Sequence, residues 1–157
     1  MDSSRRWSRI RRAAAVAACV VALGLVPSGA LATPGSGVTA TVLAKGTSAE
    51  GLKIRTQGRT DVVVRTVTIA PGGETGWHYH QGPLIAVVQS GTLTRTLADC
   101  SVVRSSAGQS FIEPDGARKV HNGQNLGTVP VVLYVTYLLP EGDALSVDAP
   151  DPGCRHY

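Results

Sequence analysis

Residues 71–80 read Pro-Gly-Gly-Glu-Thr-Gly-Trp-His-Tyr-His and hold two of the four histidines of the 157-residue chain. His78 and His80 occupy alternate positions of a predicted β-strand, so both imidazoles are expected to project from the same face of that strand. A third histidine, His121, lies further along the chain in a second short run that is bounded by turn residues. Three histidines on facing strands can bind one divalent metal ion.

Residues 1–32 have the pattern of a secretory signal peptide. Five arginines near the start are followed by an apolar run over 13–26 and by small residues at 30–32 that suit a cleavage site. The apolar run is shorter than the about 20 residues that a membrane-spanning helix needs. We therefore predict that residues 33–157 are the mature, secreted protein. Arg5-Arg6 leaves both the general secretory and the twin-arginine export routes open.

The positive charge of the chain belongs to this N-terminal segment. The whole chain has 15 Lys+Arg and 11 Asp+Glu, and residues 1–32 hold five of the basic residues and one of the acidic ones, which leaves ten of each in the mature protein. A nucleic-acid or anionic-membrane partner would need a basic patch that survives processing. We therefore predict neither partner for the mature form and expect a small-molecule ligand or substrate instead, with a homodimer left open.

Cys100 and Cys154 are the two cysteines outside residues 1–32. An even pair in an exported protein favours a disulfide bond, and two free thiols are the alternative. The bond would hold down a C-terminal tail that is rich in proline and glycine.

The rest of the chain predicts an all-β protein with a single domain. Short runs rich in valine, threonine, isoleucine and leucine alternate with turn residues, which is typical of a sandwich or barrel. The predicted strands cover residues 38–44, 61–69, 77–80, 84–89, 92–97, 101–104, 109–112, 119–122 and 131–139. Ser90-Gly91 predicts a hairpin turn between two of them. We place the barrel core at about residues 60–140 by this pattern.

Glycines, prolines and histidines recur at the spacing of two motifs. The first consists of Gly72, His78-Tyr79-His80 and Gly91, and the second of Gly108, Pro114-Asp115-Gly116, His121 and Asn125. This arrangement resembles the two motifs of the cupin superfamily, and together with Gly76-Trp77-His78 and the cysteine-containing tail it is similar to small actinobacterial cupins. The resemblance implies a small β-barrel, also called a double-stranded β-helix, with a metal ion inside it.

The sequence departs from the cupin pattern at two positions. The first motif normally supplies a glutamate ligand where this chain has Leu84, and leucine cannot bind a metal. The second motif normally has its histidine at the position of Lys119, whereas here the histidine is His121. We therefore predict a three-histidine site of His78, His80 and His121. Glu113 is interpreted as a solvated turn residue.

Three neutral imidazoles suit a divalent transition metal, namely Fe, Mn, Zn, Ni or Cu. Cupins that lack the glutamate include three-histidine iron dioxygenases, so the resemblance favours a metal-dependent oxygenase of small molecules. The alternative is a barrel that binds a small ligand or a metal without turnover. The barrel-lining side chains Leu84, Ala86, Val88, Phe111 and Ile112 predict a small, apolar cavity.

Overall fold

A computed structural model describes residues 36–154, so the predicted signal peptide and His156 lie outside the described residues. Residues 36–39 belong to an N-terminal unit that ends at Thr39, and the chain from Ala40 onward forms a second, compact unit. None of the described residues forms a helix long and apolar enough to cross a membrane.

The compact unit is all-β within its described part. Its strands are β1 (Thr60–Ile69), β2 (His78–Tyr79), β3 (Leu84–Ser90), β4 (Thr92–Leu97), β5 (Val102–Ser106), β6 (Ser110–Glu113), β7 (His121–Gln124), β8 (Val131–Pro140) and β9 (Val147–Asp148). They form a four-stranded sheet in the order β1-β8-β3-β6 and a five-stranded sheet in the order β5-β4-β7-β2-β9. Every strand pair is antiparallel. The two sheets form the small barrel that the sequence predicts.

The core lies mainly on the inner face of the four-stranded sheet. In β8, alternate side chains from Val131 to Leu139 are buried and the residues between them are partly exposed, as the two-residue period of a strand requires. The buried apolar cluster comprises Ile69, Leu84, Ala86, Val88, Leu93, Phe111, Val131, Leu133, Val135, Tyr137 and Leu139. Ile112, which we predicted to line the barrel cavity, is only half-buried.

The turn at Gly91 is a corner between the sheets, so the prediction of a hairpin there is wrong. β3 pairs with β6 and β8, whereas β4 pairs with β5 and β7. Gly91 has a φ of 72°, and a Cβ atom at this position would lie 2.8 Å from the carbonyl oxygen of Pro130. Only glycine fits such a close approach at positive φ.

The prediction of a strand over residues 38–44 is also wrong. Val38, Val42 and Leu43 are 78%, 79% and 66% exposed, and the first residue to pair is Thr47, which bridges to Gln109. Apolar residues without a partner strand have no ladder of hydrogen bonds to join, so β-propensity alone does not order them.

Cys100 and Cys154 form a disulfide bond with their Cα atoms 5.4 Å apart. Cys100 lies in the turn between β4 and β5 at a φ of 64°, a conformation that non-glycine residues rarely adopt. The bond anchors the tail beside β4, and earlier in the tail the amide of Ala149 donates to the carbonyl of Trp77. The C-terminal segment is thereby held against the five-stranded sheet.

Candidate metal centre

The three histidines that the sequence singled out lie together inside the barrel. β2 pairs with β7 so that His78 stands directly opposite His121, and His80 follows β2 by one residue. The ring centroids of His78 and His121 are 4.4 Å apart, those of His78 and His80 4.9 Å, and those of His80 and His121 5.2 Å. His121 therefore belongs to the cluster. Lys119 precedes β7 in a turn, and its amide donates to the carbonyl of Gly116.

Each imidazole is oriented by a hydrogen bond from Nδ1 to a backbone carbonyl. The acceptors are Gly76 for His78 at 2.9 Å, Leu145 for His80 at 2.7 Å and Lys119 for His121 at 2.8 Å. A carbonyl only accepts, so Nδ1 carries the proton in each ring, and in a neutral imidazole Nε2 then carries the lone pair. This is the arrangement that metal-binding histidines have in proteins.

A fourth group, the carboxylate of Glu113, lies among the three rings. Its Oε2 atom is 3.2 Å from Nε2 of His80 and 3.1 Å from Nε2 of His121, and its side chain is only 12% exposed. One ligand atom from each of His78, His80, Glu113 and His121 lies within 4.8 Å of the others. The interpretation of Glu113 as a solvated turn residue is therefore wrong.

The position of Glu113 explains how the chain tolerates Leu84. β3 and β6 pair so that Leu84 stands directly opposite Glu113. The carboxylate thus enters the barrel from the strand next to the one that carries it in the usual cupin motif. A signal was present in the sequence: Glu113 follows Phe111 by two residues, so in a strand that continues through residue 113 both point inward.

Glu113 is ionised despite its burial. Burial raises the pKa of a carboxyl group, but the nearby imidazoles of His121 and His80 and the charge of Arg95 lower the pKa of Glu113 well below its ordinary value. Nη1 of Arg95 lies 3.4 Å from Oε1 of Glu113. One oxygen of the carboxylate therefore faces the guanidinium, and the other faces the histidines.

The carboxylate affects the histidines unequally. Burial lowers the pKa of His78, and the neighbouring His121 and His80 lower it further. Burial also lowers the pKa of His121, but the interaction with Glu113 outweighs burial, so that this pKa is raised. His78 therefore loses its proton more readily than His121, and a metal ion competes with a proton to a higher pH at His121 than at His78.

The four residues fit a divalent transition metal. Nε2 of His121 is buried and has no hydrogen-bond partner of acceptable geometry among the described residues, although Glu113 is near. A metal ion would use that lone pair. Three imidazole nitrogens and one carboxylate oxygen are donors that suit Zn, Fe, Ni or Cu, whereas Ca and Mg prefer oxygen ligands throughout.

A cavity of about 390 Å³, here called the first cavity, opens onto the cluster. All four candidate ligands line it, together with Arg65 and Tyr137 among others. The guanidinium carbon of Arg65 lies 5.2 Å from the centre of the Tyr137 ring. A small molecule in this cavity would reach the cluster directly.

The architecture and the cluster together define a small β-barrel with a candidate metal site in its interior. Residues 65–137 match the family model Cupin_2, the cupin domain. This segment contains all four clustered residues, and the match supports placing the protein in the cupin superfamily, as the two motifs predict. No curated protein sequence matches the chain.

Several solved structures are similar to this chain. A conserved protein from Klebsiella pneumoniae with a double-stranded β-helix domain is 28% identical over 52% of this chain and 70% of that one, with a TM-score of 0.45. A cupin domain from Bordetella pertussis is 22% identical over 64% of this chain and 100% of that one, with a TM-score of 0.45. The polyketide cyclase RemF from Streptomyces resistomycificus is 19% identical over 58% of this chain and 64% of that one, with a TM-score of 0.48. Similarities of this size do not indicate a shared activity.

Proposed function

We propose that the protein is a secreted cupin that binds a divalent transition metal through His78, His80, His121 and Glu113 and acts as a dioxygenase on a small molecule in the first cavity. The observation that carries the metal site is the set of three hydrogen bonds from Nδ1 to backbone carbonyls. These bonds leave three Nε2 atoms beside one ionised carboxylate, so the donors are fixed before a metal arrives.

His78, His80, His121 and Glu113 would hold the metal ion, and a redox-active ion bound there would supply the activation of oxygen and of the substrate. The protein residues have separate tasks. The backbone carbonyls orient the rings, and Arg95 holds one oxygen of Glu113 so that the other faces the histidines. The first cavity sets which molecules reach the site.

Secretion is part of the proposal. The disulfide bond between Cys100 and Cys154 is compatible with an oxidising compartment outside the cytoplasm. The signal-peptide pattern of residues 1–32 supports the same location.

One observation favours the alternative of a barrel that binds a ligand or metal without turnover. The carboxylate of Glu113 is surrounded by His80, His121 and Arg95. A group that serves as a ligand is not also free to act as a general base. The two functions differ in the metal they need, because oxygen chemistry requires a redox-active ion such as iron, manganese or copper, whereas zinc has no redox chemistry.

Metal analysis of the purified protein tests the proposal first. We expect iron, manganese or copper at close to one ion per chain; zinc, or no bound metal, would favour the non-catalytic alternative. Calorimetric titration of the chelated protein with the recovered metal then tests the ligands. His78→Ala, His80→Ala and His121→Ala should each abolish binding, because each removes a ligand atom.

His156→Ala is the matched control, since it removes a histidine that no motif includes, and it should bind metal as the unmodified protein does. Full metal binding by His121→Ala would contradict the proposed ligand set. Oxygen consumption with small candidate substrates then separates a dioxygenase from a binding protein, with the chelated protein as the blank.

A further inference from the structure

A second cavity, of about 320 Å³, borders the metal site. Glu113 and His121 line this cavity as well as the first one, so the two cavities share a wall. The other lining residues are of two kinds. Arg95, Arg118 and Lys119 are cations, and the apolar walls include Leu97, Ala98, Pro114 and Val120.

Arg95 is the buried cation of this cavity. Its side chain is 8% exposed, and its guanidinium carbon lies 3.5 Å from the centre of the Phe111 ring. The guanidinium has five N–H donors, and its one hydrogen bond among the described residues is the 3.4 Å contact from Nη1 to Glu113. Nε is buried without a partner. A buried charge with most of its donors unused is costly unless an anion completes its shell.

The acidic residues around the cavity are already engaged. Asp99 accepts hydrogen bonds from the amide and the hydroxyl of Ser101, and Glu113 is shared between Arg95 and two histidines. Arg118 and Lys119 are exposed at the rim. The cavity lining therefore carries three cations against two carboxylates, and of these Asp99 lies close enough to Lys119 to attract it while Glu113 is shared between Arg95 and the histidines.

We propose that the second cavity binds a small monocarboxylic acid with an apolar body. A carboxylate matches the planar fork of the Arg95 guanidinium and would use the donors that the protein leaves free. Arg118 and Lys119 attract the anion at the rim, and the apolar walls cover the body of the acid. The proposal does not rest on the proposed metal site, although Glu113 and His121 line both cavities.

Benzoate is a suitable probe because it combines one carboxylate with a small apolar body. Calorimetry or NMR titration should be carried out on the purified, disulfide-bonded protein after chelation, so that the probe cannot bind to a metal ion. We expect one benzoate per chain. Benzamide, its neutral analogue, should bind at least about ten-fold more weakly, because it offers no charge to Arg95.

Variants of residues from each cavity test whether benzoate binds in the second cavity or in the first. Arg118→Gln combined with Lys119→Gln should weaken benzoate binding about five-fold, as expected for the loss of two exposed charge interactions. Arg65→Gln is the matched control, because it removes an exposed arginine that lines the first cavity instead, and it should leave affinity unchanged. Arg95→Gln should abolish binding; if this buried variant does not fold, the rim variant and the control decide.

Three results would overturn the proposal. They are the absence of benzoate binding to the folded protein, equal binding of benzamide, and a loss of binding in Arg65→Gln but not in the rim variant. None of these results bears on metal binding, which is measured separately with the histidine variants.

Discussion

The two sheets of the barrel contribute different kinds of side chain to the interior. The four-stranded sheet supplies nearly all of the apolar core, from Ile69 on β1 to Leu139 on β8. The five-stranded sheet supplies one residue of that core, Leu93, together with His78, His121 and Arg95. Most of the buried apolar side chains therefore come from one sheet, and most of the candidate ligands come from the other. Glu113 is the exception, since it reaches the site from the four-stranded sheet.

Strand length follows the same division. β1 and β8 are each ten residues long and pair along their whole length. β2 has two residues and is held by two neighbours, β7 and β9. The short strand β2, which carries His78, is therefore positioned by its neighbours β7 and β9, the second of which belongs to the tethered tail.

The largest effect on stability should come from the four-stranded sheet. Leu139→Ala removes a side chain that is 1% exposed and should lower the free energy of unfolding by about 2–5 kcal/mol, because it leaves a cavity in the core. Denaturant unfolding measures this change. Leu126→Ala, at a position that is 63% exposed, is the matched control and should change it by less than about 0.5 kcal/mol. Similar losses in both variants would contradict the assignment of the core to this sheet.

The tether of the five-stranded sheet should contribute slightly less. The disulfide bond joins residues 54 positions apart, and its reduction should lower the free energy of unfolding by about 2–4 kcal/mol, since the unfolded chain is no longer constrained. Unfolding with and without reductant measures this loss. A double Cys100→Ser and Cys154→Ser variant should be equally destabilised and insensitive to reductant. Full alkylation of both cysteines in unreduced protein would rule the bond out.

Many strands of the barrel could be predicted from the two-residue periodicity of apolar side chains and from the turn residues that separate the strands. Alternation identified the long strand β8, and the glycines and prolines marked the strand ends. The pairing of strands could not be read in the same way, because Ser90-Gly91 has the local sequence of a hairpin while the structure sends β3 and β4 to different sheets. Local sequence sets a turn, but long-range packing decides which sheet each strand joins.

The candidate site was predicted in part. The spacing of His78 and His80 predicts that they share one strand face, and the second motif predicts His121 as the third ligand. Glu113 was missed because its predicted strand ended one residue early, and because the usual glutamate position holds Leu84. Only the strand register shows that a carboxylate lies directly opposite Leu84, on the neighbouring strand.

This register makes a transposition experiment possible. Glu113→Leu should weaken metal binding by at least about ten-fold, because removal of groups that only support metal ligands already costs about 10–100-fold. Leu84→Glu combined with Glu113→Leu exchanges the two side chains across the strand pair, where Cβ atoms stand about 4.5–5.5 Å apart. We expect the exchange to recover part of the lost affinity in calorimetric titrations.

The single variant Leu84→Glu is the control for this exchange. It would place two carboxylates directly opposite each other, and like charges at such positions are destabilising, so we expect a less stable protein rather than a better metal site. An exchanged variant that binds metal no better than Glu113→Leu would contradict entry of the carboxylate at this strand pair.

The smallest effect concerns the titration of the metal-free protein, where the two opposed histidines should differ. The pKa of His121 is raised above 6.5, and that of His78 is lowered below it. The contribution of His121 to stability is therefore present below pH 6.5 and is lost as the pH rises through its folded pKa, whereas the contribution of His78 is present above pH 6.5 and is lost as the pH falls through its folded pKa. NMR titration of the imidazole resonances measures both pKa values directly. Glu113→Gln should lower the pKa of His121, because burial then acts without the opposing carboxylate. An unchanged His121 pKa in this variant would show that Glu113 does not set the charge of the ring, and the carboxylate would then have no electrostatic part in the site.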